Sequence, residues 1–292
     1  MINIGQFEIS RVIESEGPFL EVQSFIPDAD QAVVEANRDW LMPRFIEPAS
    51  NKIILNIQSY ILRTPRHTIL VDTCVGNDKP RPGRPMFDHL SLPYLADLAA
   101  AGVRPEEVDF VLCTHLHVDH AGWNTQLING RWVPTFPNAK YIFARTEYEF
   151  WERRHLDGSE GPVPNVYDDS ILPVMQAGQA VLVDADHQID DGLWFEPAPG
   201  HTPGNVVVNL QSQGATGVLT GDVMHHPLQL IRPEWSSRAC EDPVQSAATR
   251  RALIERYADT DTLIAPAHFS SPTMGHIISK GDGFGYRLVN ED

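Results

Sequence analysis

The sequence has few cysteines and few basic residues. Only three cysteines occur among its 292 residues, Cys74, Cys113 and Cys240, and none belongs to a CxxC pair. This odd count argues against both a disulfide framework and a zinc site made of thiolates. Lys and Arg number 22 against 39 Asp and Glu, so the formal net charge is -17. Because a surface this acidic repels phosphate groups, we expect no nucleic acid partner.

Long apolar runs are also absent. No stretch of roughly 18 apolar residues occurs, so the sequence contains no candidate membrane-spanning helix. The first residues, MINIGQFEIS, lack the charged-then-apolar pattern of a signal peptide. We therefore expect a cytoplasmic protein without a membrane partner. With 42% apolar and 9% aromatic residues, the chain can still bury a substantial core.

Strand and helix signals alternate along the chain. Residues 53–62 and 67–73 predict a strand pair, and residues 108–116 predict a buried strand. Further predicted strands lie at 180–184, 193–197, 205–210, 216–220 and 262–268. Predicted helices cover 91–101 with Ser91 as N-cap, Thr146 to Arg154 with a capping box through Glu149, and Asp242 to about Tyr257. This order predicts a layered α/β (α+β) fold in one domain, 1–292.

Histidine gives the strongest functional signal. The segment THLHVDHAG at 114–122 holds His115, His117, Asp119 and His120 directly after a predicted strand. On extended backbone His115, His117 and Asp119 lie on one side, and a turn at 119–120 directs His120 elsewhere. One loop can therefore serve two metal ions. Imidazoles and carboxylates without thiolates suit Zn(II), and Mn, Fe or Co also remain open.

Three later segments repeat the same local pattern, in which a strand ends and a donor follows among glycines and prolines. They are PAPGHTPGN with His201, LTGDVMHH with Asp222, and APAHF with His268. Each segment alone is weak evidence, because a single His at a strand end is an ordinary polar residue. Following the first cluster in this order, the three segments support one another as ligands.

Together these motifs resemble the metallo-β-lactamase superfamily, from about residue 50 onwards. The resemblance implies an αβ/βα sandwich of two mixed sheets that face each other, with outer helices and two divalent metal ions. Carried over to this sequence, it implies that His115, His117 and His201 bind one ion, that Asp119, His120 and His268 bind the other, and that Asp222 bridges both.

The motif also narrows the chemistry that the resemblance implies. A carboxylate usually replaces His117 in the flavo-di-iron redox pattern, so His117 favours hydrolysis. The long segment before the first strand pair is similar to the N-acyl homoserine lactonase and methyl parathion hydrolase group. We expect a hydroxide shared by two metal ions to open a lactone or related ester. A phosphotriesterase or aryl ester hydrolase, a β-lactamase-like hydrolase, a di-iron redox enzyme and a binding protein without catalysis remain alternatives.

Four residues near the ligands receive roles in this hypothesis. Asp119 would also either orient the hydroxide or pass a proton to the leaving alkoxide. His225 stands three residues after Asp222, where related lactonases place a Tyr, and it either donates a hydrogen bond to the developing oxyanion or caps the loop. Asp72 resembles the superfamily's buried Asp beneath the metal loop and would accept a hydrogen bond from a ligand imidazole or from loop amides. His226 is expected to have a structural role next to the metal ligands.

Irregular segments rich in aromatic residues are candidates for a pocket. The N-terminal extension 17–50 and the inserted loop 155–169 are expected near a pocket for a small-molecule substrate or at a homodimer contact. Ordinary core packing is the competing hypothesis for all these residues. The candidate pocket residues are Trp123, Phe45, Trp40, Leu230 and Trp235.

Overall fold

A computed structural model describes residues 1–159, 161 and 163–289. Positions 160 and 162 of the predicted inserted loop lie outside the described residues. The chain divides into two compact units, one of Met1–Glu14 with Ile57–His187 and one of Ser15–Asn56 with Gln188–Asp292. The predicted single domain 1–292 stays a prediction.

The first sheet has seven strands of mixed direction. The strands of the first half of the chain are β1 (Ile2–Ile4), β2 (Phe7–Glu21), β3 (Lys52–Arg63), β4 (Thr68–Val71), β5 (Phe110–Leu112), β6 (Thr125–Ile128), β7 (Arg131–Pro134), β8 (Lys140–Ala144) and β9 (Ala180–Val183). They form a sheet of order β1-β2-β3-β4-β5-β8-β9 and a separate pair, β6-β7. The antiparallel pair β3-β4 confirms the predicted strand pair, and the pairs β4-β5, β5-β8 and β8-β9 are parallel.

The second sheet also has seven strands, in chain order. They are β10 (Gln188–Asp190), β11 (Leu193–Pro197), β12 (Val206–Ser212), β13 (Ala215–Gly221), β14 (Leu263–Pro266), β15 (Gly275–Lys280) and β16 (Gly283–Leu288). Neighbouring strands are antiparallel except for the parallel pair β13-β14. Mixed sheets combined with helices confirm the predicted α/β class.

Helices occur in both units. They are α1 (Val22–Phe25), α2 (Gln31–Ala36), α3 (Arg38–Leu41), α4 (Tyr94–Ala100), α5 (Arg145–Leu156), α6 (Leu172–Gln176), α7 (Leu228–Ile231) and α8 (Pro243–Tyr257). Two 3-10 turns, Pro105–Glu107 and Gly122–Asn124, and a π-helical turn, Tyr167–Ile171, complete the set. Among the described residues, no helix has both the length and the apolar character that crossing a bilayer demands.

The predicted helix starts were right only for α8. There the side chain of Asp242 accepts a hydrogen bond from the amide of Gln245, as an N-cap does. The predicted N-cap Ser91 is wrong, because α4 begins only at Tyr94. The predicted capping box on Thr146 is wrong as well. The last residue of β8, Ala144, leads directly into α5 and makes no side-chain cap.

The N-terminal extension contributes to the core of the second unit. Val22, Ile26, Leu41 and Phe45 are buried there together with side chains from β13 to β16, α7 and α8. A fully buried aliphatic or aromatic side chain stabilises a fold by about 1.5–3 kcal/mol relative to an exposed one. Segment 17–50 is therefore part of this unit's core, and its proximity to a substrate pocket stays a prediction.

A buried charge cluster lies in the first unit. The guanidinium of Arg81 contacts both carboxylate oxygens of Asp169, at 2.5 and 2.8 Å. The Nζ of Lys79 lies 3.4 Å from the same carboxylate, 2.9 Å from the hydroxyl of Thr125 and 3.9 Å from the centre of the Trp132 ring. Lys79 and Arg81 thus share the buried carboxylate of Asp169. Burial lowers the pKa of Lys79 to about 8, against the attraction of Asp169.

This lowered pKa predicts how stability depends on pH. Below pH 8 Lys79 is protonated in both the folded and the unfolded chain, so the burial penalty is fully present. Between pH 8 and about 10 the folded protein releases this proton while the unfolded chain keeps it, and the free energy of unfolding rises. Urea unfolding of the parent and of Lys79→Met should therefore diverge by about 1 kcal/mol per pH unit between pH 8 and 10. Parallel pH profiles for the two proteins would contradict the buried, partly deprotonated lysine.

Candidate metal centre

The first group of donors follows the carboxyl ends of parallel strands. Residue pairing aligns Val71 of β4 with Leu112 of β5, and Leu112 with Ile142 of β8. Segments that leave these strands therefore emerge at one edge of the sheet. Asp72 leaves β4 there, and the loop 113–122 with its three histidines leaves β5.

Two imidazoles of this loop converge. The Nε2 of His115 lies 3.0 Å from the Nδ1 of His117. Two nitrogens that bind one zinc ion at about 2.0–2.1 Å in tetrahedral geometry are themselves about 3.3 Å apart. The Nε2 of His120 lies 3.9 Å from an oxygen of Asp119, whose side chain is the more exposed of the two, at 19% against 1%. The loop thus presents two separate pairs of donor atoms.

Asp72 holds the loop 113–122 in place through hydrogen bonds. Its carboxylate accepts hydrogen bonds from the amide of Thr114 at 2.8 Å and from the Thr114 hydroxyl. Its second oxygen lies 2.9 Å from the Nδ1 of His120. With Nδ1 donating to a carboxylate, the Nε2 of His120 carries a free lone pair. Asp72 has a φ of +60°, a backbone conformation that Asp tolerates better than most residues.

Two buried glutamates that the sequence analysis missed also hold this region. Glu147 accepts hydrogen bonds from the amide of Leu116 at 3.0 Å and from the indole of Trp151 at 2.7 Å. Its spacing of four residues from Trp151 on α5 was the available signal. Glu14 accepts from the amides of Val75 and Gly76. Burial raises the pKa of Glu14, and these hydrogen bonds oppose that rise.

Trp123 and Gly122 pack at the end of the loop 113–122. The indole of Trp123 donates to Glu14 at 2.7 Å, and its ring stacks on Tyr94 at 5.2 Å. A Cβ on Gly122 would lie 1.8 Å from the carbonyl oxygen of Val75, so only glycine fits there. Trp123 is buried. Its role as a pocket wall stays a prediction.

The second group of donors gathers at one edge of the second sheet. Asp222 follows β13 and His268 follows the parallel strand β14, whose ends pair as Gly221 with Pro266. His201 lies in the loop between β11 and β12, which turns at the same edge because β12 is antiparallel to β13. A Cβ on Gly200 would lie 2.2 Å from the amide nitrogen of Ser246, so this loop packs closely on the start of α8.

Imidazoles approach both oxygens of the Asp222 carboxylate. The Nε2 of His201 lies 3.1 Å from Oδ2, and the Nε2 of His268 lies 3.0 Å from Oδ1. The Nε2 of His225 lies 3.1 Å from Oδ2. All four side chains are buried. Histidine nitrogens thus face both oxygens of this buried carboxylate.

The other ring nitrogens of His268 and His201 also have partners. The Nδ1 of His268 lies 2.8 Å from the carbonyl oxygen of Asn56, and the Nδ1 of His201 lies 3.6 Å from the sulfur of Cys240. As for His120, this leaves Nε2 as the donor atom. Burial lowers the pKa of His201, but the charges of Asp222 and Cys240 and the hydrogen bonds with them together raise it to about 10. Burial raises the pKa of Cys240, but the hydrogen bonds with His201, Ser246 and Ser237 and the charge of His201 together lower it to about 7.

His225 and His226 are both buried but have different partners. The Nε2 of His226 donates to the carbonyl of Phe45 at 2.8 Å, and its Nδ1 accepts from the amide of Leu228 at 3.2 Å. Burial lowers the pKa of His226 to about 4, which suits a neutral ring with one donor and one acceptor. Burial also lowers the pKa of His225 to about 4, against the attraction of Asp222. The ring of His225 packs edge-on against Phe25 at 5.4 Å.

The remaining pocket candidates lie in or against the core of the second unit. Phe45, Leu230 and Trp235 are at most 7% exposed and belong to its buried cluster. Trp40 is partly buried, and its indole donates to Asn37 at 3.0 Å. A role in lining a substrate pocket stays a prediction for all four.

The chemistry of the donors fits divalent metal ions. Each of the seven predicted ligands belongs to a group of side chains able to hold a metal ion, namely His115, His117, Asp119, His120, His201, Asp222 and His268. The donor atoms are imidazole nitrogens and carboxylate oxygens, without a thiolate. This set suits Zn(II) and also Mn, Fe or Co.

Comparison with known sequences gives one family and several relatives. A sequence model of the metallo-beta-lactamase superfamily matches residues 54–268. An N-acyl homoserine lactonase of Bacillus cereus is 26% identical over 181 residues, covering 58% of this chain and 64% of that protein. The N-acyl homoserine lactonase AttM of Azorhizobium caulinodans is 29% identical over 175 residues, covering 56% and 59%. The matched region thus spans less than two thirds of these relatives' length.

Solved structures with similar folds cover the whole chain. The hydrolase AbOPH of the beta lactamase superfamily aligns with a TM-score of 0.80 at 24% identity, covering 100% of this chain and 97% of that one. AidC, described as a dizinc quorum-quenching lactonase, aligns with a TM-score of 0.81 at 22% identity and the same coverage. At this identity the likeness is evidence of the fold alone. The predicted metallo-β-lactamase type of fold is confirmed.

The contact between Asp72 and His120 predicts a tautomer. In the parent, Nδ1 of His120 carries the proton because it faces a carboxylate. Asn in place of Asp72 keeps the shape and tolerates the positive φ, but it can present an NH₂ group to Nδ1 and so move the proton to Nε2. Nitrogen-15 NMR of the histidine rings should show this exchange in Asp72→Asn and not in Asp78→Asn, another aspartate at positive φ. A His120 tautomer that stays the same in both variants would refute the assigned hydrogen bond.

Proposed function

The chain belongs to the metallo-beta-lactamase superfamily, and from this premise we propose that it is a metal-dependent hydrolase that opens a lactone or a related ester. Its curated relatives at 26–29% identity are N-acyl homoserine lactonases. Because the match covers only part of their length, the activity and the substrate rest on the donor chemistry of this chain as much as on that likeness.

One observation supports the proposal above the others. The Asp222 carboxylate has the Nε2 of His201 at one oxygen and the Nε2 of His268 at the other. A structural aspartate would be satisfied by amides or hydroxyls, whereas two ligand-type nitrogens beside a buried carboxylate favour cations between them.

The proposed ligand set follows the family motif. His115, His117 and His201 would hold one ion, Asp119, His120 and His268 the other, and Asp222 both. Divalent ions held there, expected to be Zn(II), would lower the pKa of a bound water molecule and polarise the ester carbonyl. The Nε2 atoms of His120, His201 and His268 fit this role, because each ring has a hydrogen-bond partner at Nδ1.

Asp119 is the proposed proton carrier. Asp119 and His117 are the two proposed ligands that are not fully buried. The side chain of Asp119 is 19% exposed, and its carboxylate lies near His120. A carboxylate in this position can orient a water molecule and hand a proton to the departing alkoxide. In a lactone the alkoxide stays attached to the acyl part, so the product is a single hydroxy acid.

His225 is the proposed donor to the oxygen of the reacting carbonyl. Its pKa is lowered to about 4 by burial, so the ring is neutral and carries one N–H. Its Nε2 lies 3.1 Å from Asp222 and 3.4 Å from the hydroxyl of Ser237, so the N–H faces the side where the ligands gather. A fixed donor next to developing negative charge stabilises the transition state.

Charge and composition support a neutral small-molecule substrate. The net charge of -17 disfavours polyanions such as nucleic acids and favours an uncharged lactone or ester. We further propose a cytoplasmic location, one domain formed by residues 1–292, and a homodimer contact near segments 17–50 or 155–169. Trp123, Phe45, Trp40, Leu230 and Trp235 stay the proposed pocket residues.

The proposed activity can be ranked against its alternatives with a substrate panel. Zinc-loaded protein should show its highest kcat/KM on N-acyl homoserine lactones, less on aryl esters and phosphotriesters, and least on β-lactams. A chelator should remove the activity, and added zinc should restore it. Asp222→Ala and His117→Ala should each lose at least about a hundredfold in kcat/KM, because the activated water depends on the metal ions.

A matched control is Asp282→Ala, which removes an aspartate with a side chain 91% exposed and should retain parental activity. The hydrolase proposal fails if no substrate of the panel is turned over in a metal-dependent way. Bound iron with oxygen-dependent turnover would replace it with a redox enzyme.

The role of His225 can be separated from packing by two variants of similar shape. His225→Phe should lower kcat by about 10²–10³ while the metal content stays the same, because the donor is lost. His225→Tyr provides a hydroxyl donor and should recover at least tenfold of that loss. Equal rates for the Phe variant and the parent would assign His225 to packing alone.

A further inference from the structure

The histidine ligands differ in what holds their second ring nitrogen. For His120 the partner is the carboxylate of Asp72, and for His268 it is the carbonyl oxygen of Asn56. For His201 this position is occupied by a sulfur, because its Nδ1 lies 3.6 Å from the Sγ of Cys240. This distance is within the range of a hydrogen bond to sulfur. Cys240 therefore takes the place that oxygen acceptors take at the other two rings.

The backbone around Cys240 is tied to the loop that carries His201. The amide of Glu241 donates to the carbonyl of His201 at 2.9 Å, and the amide of Asp242 donates to the carbonyl of Gly200, also at 2.9 Å. These two hydrogen bonds run alongside the contact between thiol and imidazole. The position of the sulfur next to the ring is thus held by the backbone that directly follows Cys240.

The thiol itself is anchored to α8. The S–H of Cys240 donates to the hydroxyl of Ser246 at 3.3 Å, and the same hydroxyl accepts from the guanidinium of Arg250 at 3.3 Å. Arg250 is fully buried and also donates to the carbonyls of Val223, next to Asp222, and of Trp235. A continuous chain of hydrogen bonds thus leads from a buried arginine to the ring of His201.

Cys240 differs from the other two cysteines in this respect. Cys74 and Cys113 are buried, and their sulfurs contact a serine hydroxyl, an asparagine side chain and a backbone carbonyl. Among the contacts described for the three thiols, only that of Cys240 involves an imidazole ring.

We propose that Cys240 is a positioning residue for the metal centre, whose sulfur accepts the Nδ1–H of His201 and so keeps Nε2 as the metal-binding nitrogen. This inference rests on the proposed function, since it assigns His201 as a ligand. It adds a residue that the family motif does not contain. The consequence is that metal affinity, rather than folding, depends on the polarity of residue 240.

The test compares three replacements at this position. Ser keeps an acceptor, Ala removes the side chain, and Val fills the volume of the thiol without a hydrogen bond. The zinc dissociation constant of each metal-free protein is measured by competition with a chromophoric chelator. Ala and Val should weaken zinc binding at the site that contains His201 by about 10–100-fold, and Ser should stay within about threefold of the parent. Cys74→Ala serves as the control and should bind zinc as the parent does.

Two further readouts separate positioning from packing. Proton NMR should show the His201 Nδ1–H resonance in the parent and the Ser variant and its loss in Ala and Val. Urea unfolding of the metal-free proteins should give the same midpoint for the Val variant as for the Ser variant. If Ser binds zinc as weakly as Val, or if Val binds as tightly as the parent, the inference is wrong. A parent that binds no zinc overturns both this inference and the proposed function, whereas a parent that binds zinc with no effect of Val overturns this inference alone.

Discussion

A histidine that binds a metal ion through one ring nitrogen almost always donates the proton of its other nitrogen to a fixed acceptor, and this preference organises much of the candidate site. His120 meets it with Asp72, His268 with the carbonyl of Asn56, and His201 with Cys240. Asp72 follows the end of β4, Asn56 lies within β3, and Cys240 precedes the start of α8. The fold therefore positions the hydrogen-bond acceptors, and these acceptors orient the rings of His120, His201 and His268.

Charge explains why such a site favours cations. Asp222 is a buried carboxylate, and burying an ionised group without compensation is costly. His225 beside it stays neutral, because burial lowers its pKa to about 4. His201 offsets part of this charge, because Asp222 and Cys240 together raise its pKa to about 10, and divalent ions bound between Asp222 and the neighbouring imidazoles would add compensating charge. The net charge of -17 would oppose anionic partners.

The sequence predicted what is local in the chain and missed what is distant. Runs of apolar residues revealed the strands, and ligand-type residues at the ends of those strands revealed both groups of donors. The N-cap of α8 was predictable because Asp242 and Gln245 are three residues apart. The starts of α4 and α5 were not, because tertiary packing rather than a cap decides where these helices begin. Asn56 and His268 are 212 residues apart, and Cys240 and His201 are 39 residues apart, so no local sequence pattern predicts either contact.

The central claim is that nitrogen and oxygen donors of this chain hold two metal ions side by side. X-ray absorption at the zinc edge of the zinc-loaded protein measures this directly, because it reports both the ligand atoms and a neighbouring metal. The account predicts a first shell of nitrogen and oxygen only, imidazole scattering, and a zinc–zinc distance of about 3.5–4 Å. A sulfur ligand in the first shell, or the absence of any zinc–zinc distance at full loading, would contradict it.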